Sequence, residues 1–177
     1  MREEIIMAGS GGQGIMFAGT LLAQAAMDEG LNVTYFPSYG AQMRGGTANC
    51  AVIISDENIG SPVVTNPFTL LAMNEDSLGR FASKVKKSGL IIVNSSLLKK
   101  EIGIDDVEII EIPATELAEE LGDGRVANMV ILGAYIKRRK VVSPERAMGS
   151  LRKVLGEERE NLLRLNREAL RKGEEYR

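Results

Sequence analysis

Ile5-Ile6-Met7-Ala8-Gly9-Ser10-Gly11-Gly12-Gln13-Gly14-Ile15 is an apolar run that breaks into glycine and resumes as a helical pattern. Residues 3–8 read as a short strand. Residues 13–29 read as a helix with Ile15, Ala18, Leu21, Leu22, Ala25 and Ala26 on its inner face. A strand turning tightly into a helix leaves the first helical N–H groups unpaired. That end carries about +0.5 of an elementary charge and favours anions. Glycine permits the sharp turn and lets a phosphate approach with no Cβ in the way. Gly9, Gly11 and Gly14 satisfy G-x-G-x-x-G in this context. The glycines serve either helix–sheet packing alone or a phosphate-binding turn.

Working outward, Gly30 ends the helix, and Asn32-Val33-Thr34-Tyr35-Phe36 reads as a second strand halted by Pro37. Strand, helix and strand make a βαβ unit of a parallel sheet. Further strands are expected at Ala48–Ile54, Phe68–Met73, Leu90–Asn94 and Val107–Ile112. Helices are expected at 76–87, 114–121 and 124–139, with another opened by Ser143 as N-cap and Pro144 as first residue. Residues 156–173, with Leu162, Leu163, Leu165 and Leu170 amid dense charge, read as an amphipathic surface helix reaching toward a partner. The expected fold is α/β: one domain over residues 1–177, a three-layer α/β/α sandwich with a mostly parallel central sheet and a helical C-terminal region.

The 177 residues suit one domain with a proper core. With 22 basic and 24 acidic residues, net charge −2, no global positive field invites nucleic acid. Histidine is absent, which removes the commonest general base and metal ligand. The single cysteine, Cys50, excludes an internal disulfide and an iron–sulfur cluster ligated within this chain. No stretch approaches the ~20 apolar residues of a membrane span, and Met1-Arg2-Glu3-Glu4 lacks a signal-peptide pattern, so the expected location is cytoplasmic.

The second strand ends in Phe36-Pro37-Ser38-Tyr39 without the carboxylate that holds a ribose, which argues against an ordinary NAD-binding domain. The Gly-Lys-Ser/Thr ending of a P-loop is also missing. A second candidate loop is Ser38-Tyr39-Gly40-Ala41-Gln42-Met43-Arg44-Gly45-Gly46-Thr47, expected beyond the carboxyl end of a strand beside the glycine turn. Arg44 either grips a phosphate or carboxylate bidentately or makes a structural ion pair, and the residues leave both open. Cys50, at the start of a buried strand, reads as a small buried hydrophobe. Lys137-Arg138-Arg139-Lys140 reads as a solvated helix end whose cations complement the dipole. Asp105-Asp106, Glu119-Glu120 and Glu157-Glu158 read as solvated surface.

Three segments occur in order: the 9–14 turn, Tyr35-Phe36-Pro37-Ser38-Tyr39-Gly40-Ala41-Gln42-Met43-Arg44-Gly45-Gly46-Thr47-Ala48-Asn49-Cys50, and Ile91-Ile92-Val93-Asn94-Ser95-Ser96. Together they resemble the gamma subunit of 2-oxoacid:ferredoxin oxidoreductases, the pyruvate/ketoisovalerate type. The resemblance covers nearly the whole chain. The Met43-to-Cys50 version looks most like 2-oxoglutarate or branched-chain members, while Gln42 departs from the glutamate frequent there. It implies a non-catalytic subunit of a complex that decarboxylates a 2-oxoacid, foremost 2-oxoglutarate, to an acyl-coenzyme A and reduces ferredoxin. It implies alpha, beta and ferredoxin-like delta partners, with thiamine diphosphate and iron–sulfur clusters in those partners. No cofactor is expected on this chain alone, and no residue of it is expected to be catalytic. Coenzyme A, a polyanion, would be met by Gly9, Ser10, Gly11, Gly12, Gln13, Gly14, Ser38, Tyr39, Arg44, Gly45, Gly46 and Thr47. The alternatives are a free-standing nucleotide- or cofactor-binding module of the same fold, and the partner subunit of indolepyruvate oxidoreductase.

Overall fold

The computed structural model describes residues 1–39, 47–99, 103–156 and 159–176. Six strands form one sheet in the order β2-β3-β1-β4-β5-β6: β1 Arg2–Ser10, β2 Asn32–Tyr39, β3 Thr47–Ser55, β4 Thr69–Ala72, β5 Leu90–Asn94 and β6 Glu108–Ile112. β3 runs antiparallel to β1 and β2, whereas β1–β4, β4–β5 and β5–β6 pair in parallel. The helices are α1 Ile15–Asp28, α2 Glu75–Phe81, α3 Ala114–Glu120, α4 Ala127–Arg139, α5 Pro144–Leu155 and α6 Glu160–Glu175.

β4 and β5 are buried at every residue, as unbroken apolar runs in a parallel sheet covered on both faces should be. Their side chains divide by parity. Ile5, Met7, Leu71, Leu90 and Ile92 point into one core, and Ile6, Ala8, Leu70, Ala72, Ile91 and Val93 into the other. The first core is capped by α1, α3, α4, α5 and α6. The second is capped by α2 and a 3₁₀ turn, Ala82–Lys84, over β1, β4 and β5. The three layers are therefore present, with very unequal outer ones.

Five expectations need correcting. β1, α1 and β2 do form a parallel crossover, but β3 is inserted between the two strands. β2 continues through Pro37, opposite Cys50, to Tyr39. A proline that cannot donate is tolerated because β2 is an edge strand, bonded on one side only. The helix expected at 76–87 stops at Phe81, after an Asn74 N-cap whose side chain accepts from Ser77 N at 2.9 Å, and tightens into the 3₁₀ turn.

The fourth and fifth corrections concern the C-terminal region. The tail helix does not reach outward: α6 lies back on α4, burying Leu163, Asn166, Ala169, Leu170 and Gly173. The two axes approach so closely that a Cβ on Gly133 would overlap the Leu170 carbonyl oxygen, and one on Gly173 the Val130 carbonyl oxygen. Nor is the basic run 137–140 wholly solvated. Arg138 grips Glu108 of β6 through two bonds, at 2.6 and 2.5 Å, and Arg139 grips Glu3 of β1 at 2.6 and 3.2 Å. Glu3 is 2% exposed and also accepts from Thr69 Oγ1 at 2.6 Å, so this pair fastens α4 across the sheet. Asp105-Asp106 and Glu119-Glu120 are exposed as expected, while Glu157-Glu158 lie outside the described residues.

Candidate functional site

The chain leaves β1 toward one face of the sheet and β4 toward the other, since α1 belongs to the first core and α2 to the second. Neighbouring parallel strands whose connections diverge open a crevice between their carboxyl ends, the place where α/β sheets hold ligands. Here the crevice lies beyond Ser10 of β1 and Ala72 of β4.

Its floor is a polar network. The chain turns at Gly11-Gly12, closed by Gln13 N donating to Ser10 O at 3.1 Å. Gln13 folds its side chain back beneath the turn: Oε1 accepts from Ser10 N at 2.7 Å and from Asn74 Nδ2 at 3.1 Å, while Nε2 donates to Met73 O at 3.4 Å. Asn74 Nδ2 also donates to Ser10 Oγ at 2.8 Å. One asparagine thus caps α2 and stitches it to the turn that starts α1. Asn94 does likewise on the neighbouring strand. It is fully buried at the end of β5, and its Oδ1 accepts from Ala114 N at 3.0 Å and Thr115 N at 3.3 Å of α3.

The glycines have separable jobs. A Cβ on Gly9 would press within 3.0 Å of Gln13, Ile15 and Met73, so that glycine serves packing. Gly12 takes φ +94 and Gly14 φ +69, both left-handed values that suit glycine. A Cβ on Gly12 would meet nothing within 4 Å, whereas one on Gly14 would overlap Asn128 Nδ2, which donates to Gly14 O at 2.9 Å. Gly11 and Gly12 are exposed, so the turn is open to a ligand.

The electrostatics favour an anion at α1. Gly14 is its N-cap, no side chain among the described residues caps it, and its first turn has no acidic residue. α2 differs: Asn74 caps it, and Glu75 and Asp76 occupy its first turn. Among the described residues, the N–H groups beside the crevice that lack a side-chain cap therefore belong to α1.

The residues expected at the site do not all converge. Thr47 stands directly beside Ser10 across the β1–β3 pair. Ser38 and Tyr39 end β2, with β3 between them and the glycine turn; Ser38 pairs with Asn49, which in turn pairs with Ala8. Two strand spacings, about 10 Å, separate Ser38 from β1. Gln13 is committed to the turn's own hydrogen bonds. Arg44, Gly45 and Gly46 lie outside the described residues. Sequence reasoning missed Asn74, Asn94 and Asn128 as the polar fasteners of this edge. Asn74, just before α2, and Asn128, at the opening of α4, carried a local signal as asparagines at helix starts; Asn94 ends β5 twenty residues before the helix it caps and carried none. Arg80 of α2 was missed as well: its Nη1 donates to Thr47 Oγ1 at 2.8 Å.

Cys50 is the buried hydrophobe expected, 0% exposed, with Sγ 3.7 Å from Ile15 O, and burial pushes its thiol pKa up to about 12. Among the described residues, no group of three acidic, cysteine or histidine side chains is placed to hold a metal ion. No helix there is long and apolar enough to cross a membrane.

Residues 4–176 match the family described as pyruvate ferredoxin/flavodoxin oxidoreductase. The chain is 42% identical over 133 residues to ketoisovalerate oxidoreductase subunit VorA of Methanothermobacter marburgensis, covering 73% of this chain and 27% of that one. It thus spans about a quarter of VorA. It is 38% identical over 172 residues to 2-oxoglutarate synthase subunit KorC of the same organism, covering 92% of each chain. The fold superimposes, TM-score 0.84 and 31% identity, on the gamma subunit of a keto/oxoacid ferredoxin oxidoreductase from Geobacter sulfurreducens, covering 98% and 96% of the chains. It also superimposes, TM-score 0.88 and 28% identity, on 30% of a chain of the 2-oxoglutarate:ferredoxin oxidoreductase from Magnetococcus marinus, solved with 2-oxoglutarate, coenzyme A and succinyl-CoA; 97% of this chain is covered.

Proposed function

Because the chain belongs to the pyruvate ferredoxin/flavodoxin oxidoreductase family, we propose that it works as the gamma subunit of a 2-oxoacid:ferredoxin oxidoreductase. In this reading residues 1–177 act as one gamma-type domain, and the chain transforms nothing itself. It lends a phosphate-binding turn to a cytoplasmic complex whose alpha, beta and ferredoxin-like subunits hold thiamine diphosphate and iron–sulfur clusters. The complex converts a 2-oxoacid to an acyl-coenzyme A and passes electrons to ferredoxin. The observation that carries the reading is the open glycine turn at the divergence of β1 and β4, facing an α1 N-terminus that has, among the described residues, no side-chain cap and no carboxylate in its first turn. Coenzyme A is a polyanion suited to that end of a helix. Arg44, one residue before Gly45-Gly46, supplies a bidentate cation in the same reading.

The proposed substrate is 2-oxoglutarate, supported by the end-to-end match to KorC. The higher identity to VorA over a shorter segment favours 2-oxoisovalerate as the second reading. The test is purification of the chain with whatever co-elutes with it. The preparation is then assayed with pyruvate, 2-oxoglutarate and 2-oxoisovalerate, in the presence of coenzyme A and an electron acceptor. Coenzyme A-dependent reduction on 2-oxoglutarate is expected, with affinity for coenzyme A weakened in Arg44→Ala. A chain that elutes alone and supports no such turnover overturns the proposal.

A further inference from the structure

Resting on the coenzyme A reading above, we propose that Arg80, in addition to Arg44, is a cation that contacts a phosphate group of the ligand seated at the glycine turn. Strand parity brings the groups together. Ser10 and Thr47 face each other across β1 and β3, and Ser10 projects toward α2, where Asn74 binds its hydroxyl. Thr47 projects the same way and receives Arg80 Nη1 at 2.8 Å. Opposed strand residues have Cα atoms about 5 Å apart, so the guanidinium lies one strand away from the last residue before Gly11.

Arg80 is held but not used up. Its guanidinium lies 5.2 Å from the ring centroid of Phe81, which is 7% exposed, and Lys84 approaches the same ring at 5.4 Å. The Thr47 bond engages one of the five N–H donors an arginine carries. Among the described residues Arg80 forms no ion pair, although Asp76 stands one helical turn before it. Other arginines do have carboxylates: Arg125 has Asp123, Arg138 has Glu108, and Arg139 has Glu3. An arginine fixed by a ring and a hydroxyl, exposed and without a carboxylate, keeps its planar fork available for a phosphate. The ligand then spans both faces of the sheet edge, the α1 amides on one side and Arg80 on the other.

The test is calorimetric titration of the purified assembly, wild type against Arg80→Ala and Arg80→Lys, with coenzyme A, dephospho-coenzyme A and pantetheine. A charge-assisted hydrogen bond corresponds to a loss of about tenfold to a hundredfold in affinity. Arg80→Ala is expected to lose that much for coenzyme A and nothing for pantetheine, which has no phosphate, with Arg80→Lys between. Loss retained with dephospho-coenzyme A assigns the contact to the diphosphate; loss abolished assigns it to the 3′-phosphate. Wild-type affinity for coenzyme A in Arg80→Ala overturns the inference and leaves the proposed function standing. So does an equal loss for coenzyme A and pantetheine, which marks a merely structural arginine. If the wild-type assembly itself fails to bind coenzyme A, the underlying reading falls and this one with it.

Discussion

Alanine at position 14 meets two obstacles at once. Gly14 holds φ +69, where a Cβ costs about 1–2 kcal/mol. That Cβ also falls on Asn128 Nδ2, well inside van der Waals contact. The amide must swing away, giving up its donation to Gly14 O at 2.9 Å and its acceptance from Met129 N at 2.9 Å. At about 1 kcal/mol per bond, displacement costs about 2 kcal/mol, and Gly14→Ala about 3–4 kcal/mol in all. Asn128→Ala alone forfeits the same two bonds, about 2 kcal/mol. In the double variant the amide is already absent, so only the backbone strain is added. Its cost is therefore again about 3–4 kcal/mol, not the roughly 5–6 of simple addition. Urea unfolding of the full chain, followed by circular dichroism, measures all three variants against wild type. Single-variant losses that add to within about 0.5 kcal/mol would refute the claim that Asn128 occupies the space Gly14 leaves.

Three other outcomes follow from the same structure. Gly133→Ala or Gly173→Ala forces α4 and α6 apart against backbone carbonyls that cannot yield, at about 3 kcal/mol. A lower urea midpoint and earlier proteolytic release of α6 are expected, and an unchanged midpoint contradicts the packing. Cys50, with its thiol raised to about 12 by burial, should resist a thiol-specific disulfide reagent at about pH 8 in the native chain and react once unfolded; rapid native labelling would count against it. Asp28 is held below its ordinary 3.8 by hydrogen bonds, first from Lys153 and then from Ser150. Glu29 is held below its ordinary 4.5 by bonds from Ser143. A depressed carboxyl pKa stabilises the fold above the ordinary value, and that stability is lost as pH falls through the folded one. The unfolding midpoint should therefore drop in acid less steeply for Asp28→Asn than for wild type, and parallel curves would refute this.

Much of the edge that carries the site is readable from the sequence because local rules act there. The break from apolar residues into Gly9–Gly14 locates the β1–α1 turn, and Ser143-Pro144 locates the start of α5. The left-handed values at Gly12 and Gly14 are of the kind that glycine supplies. Leu90–Asn94 is recognisable because a strand covered on both faces must be apolar at nearly every residue. Pro37 misleads because a proline's effect on a strand depends on whether its neighbours need its missing N–H. That is a property of the sheet edge and not of the segment. Arg80 escapes notice for a similar reason: seen along the chain it is one charge on a short helix, and its link to Thr47 spans 33 residues.

The chain's own letters determined periodicity, the strand-to-helix turns, and the absence of histidine and of clustered cysteines, since each is decided within a few residues or by composition. Only the tertiary structure decided that β3 enters the sheet antiparallel between β1 and β2, and that α1 and α2 leave on opposite faces to open a crevice. It alone decided that the tail helix closes on α4 through two glycines. Those outcomes depend on which buried surfaces fit one another between segments well separated along the chain. Hydrophobic attraction is non-directional, and the choice among partners falls to shape and hydrogen-bond matching that appears only once the chain is folded.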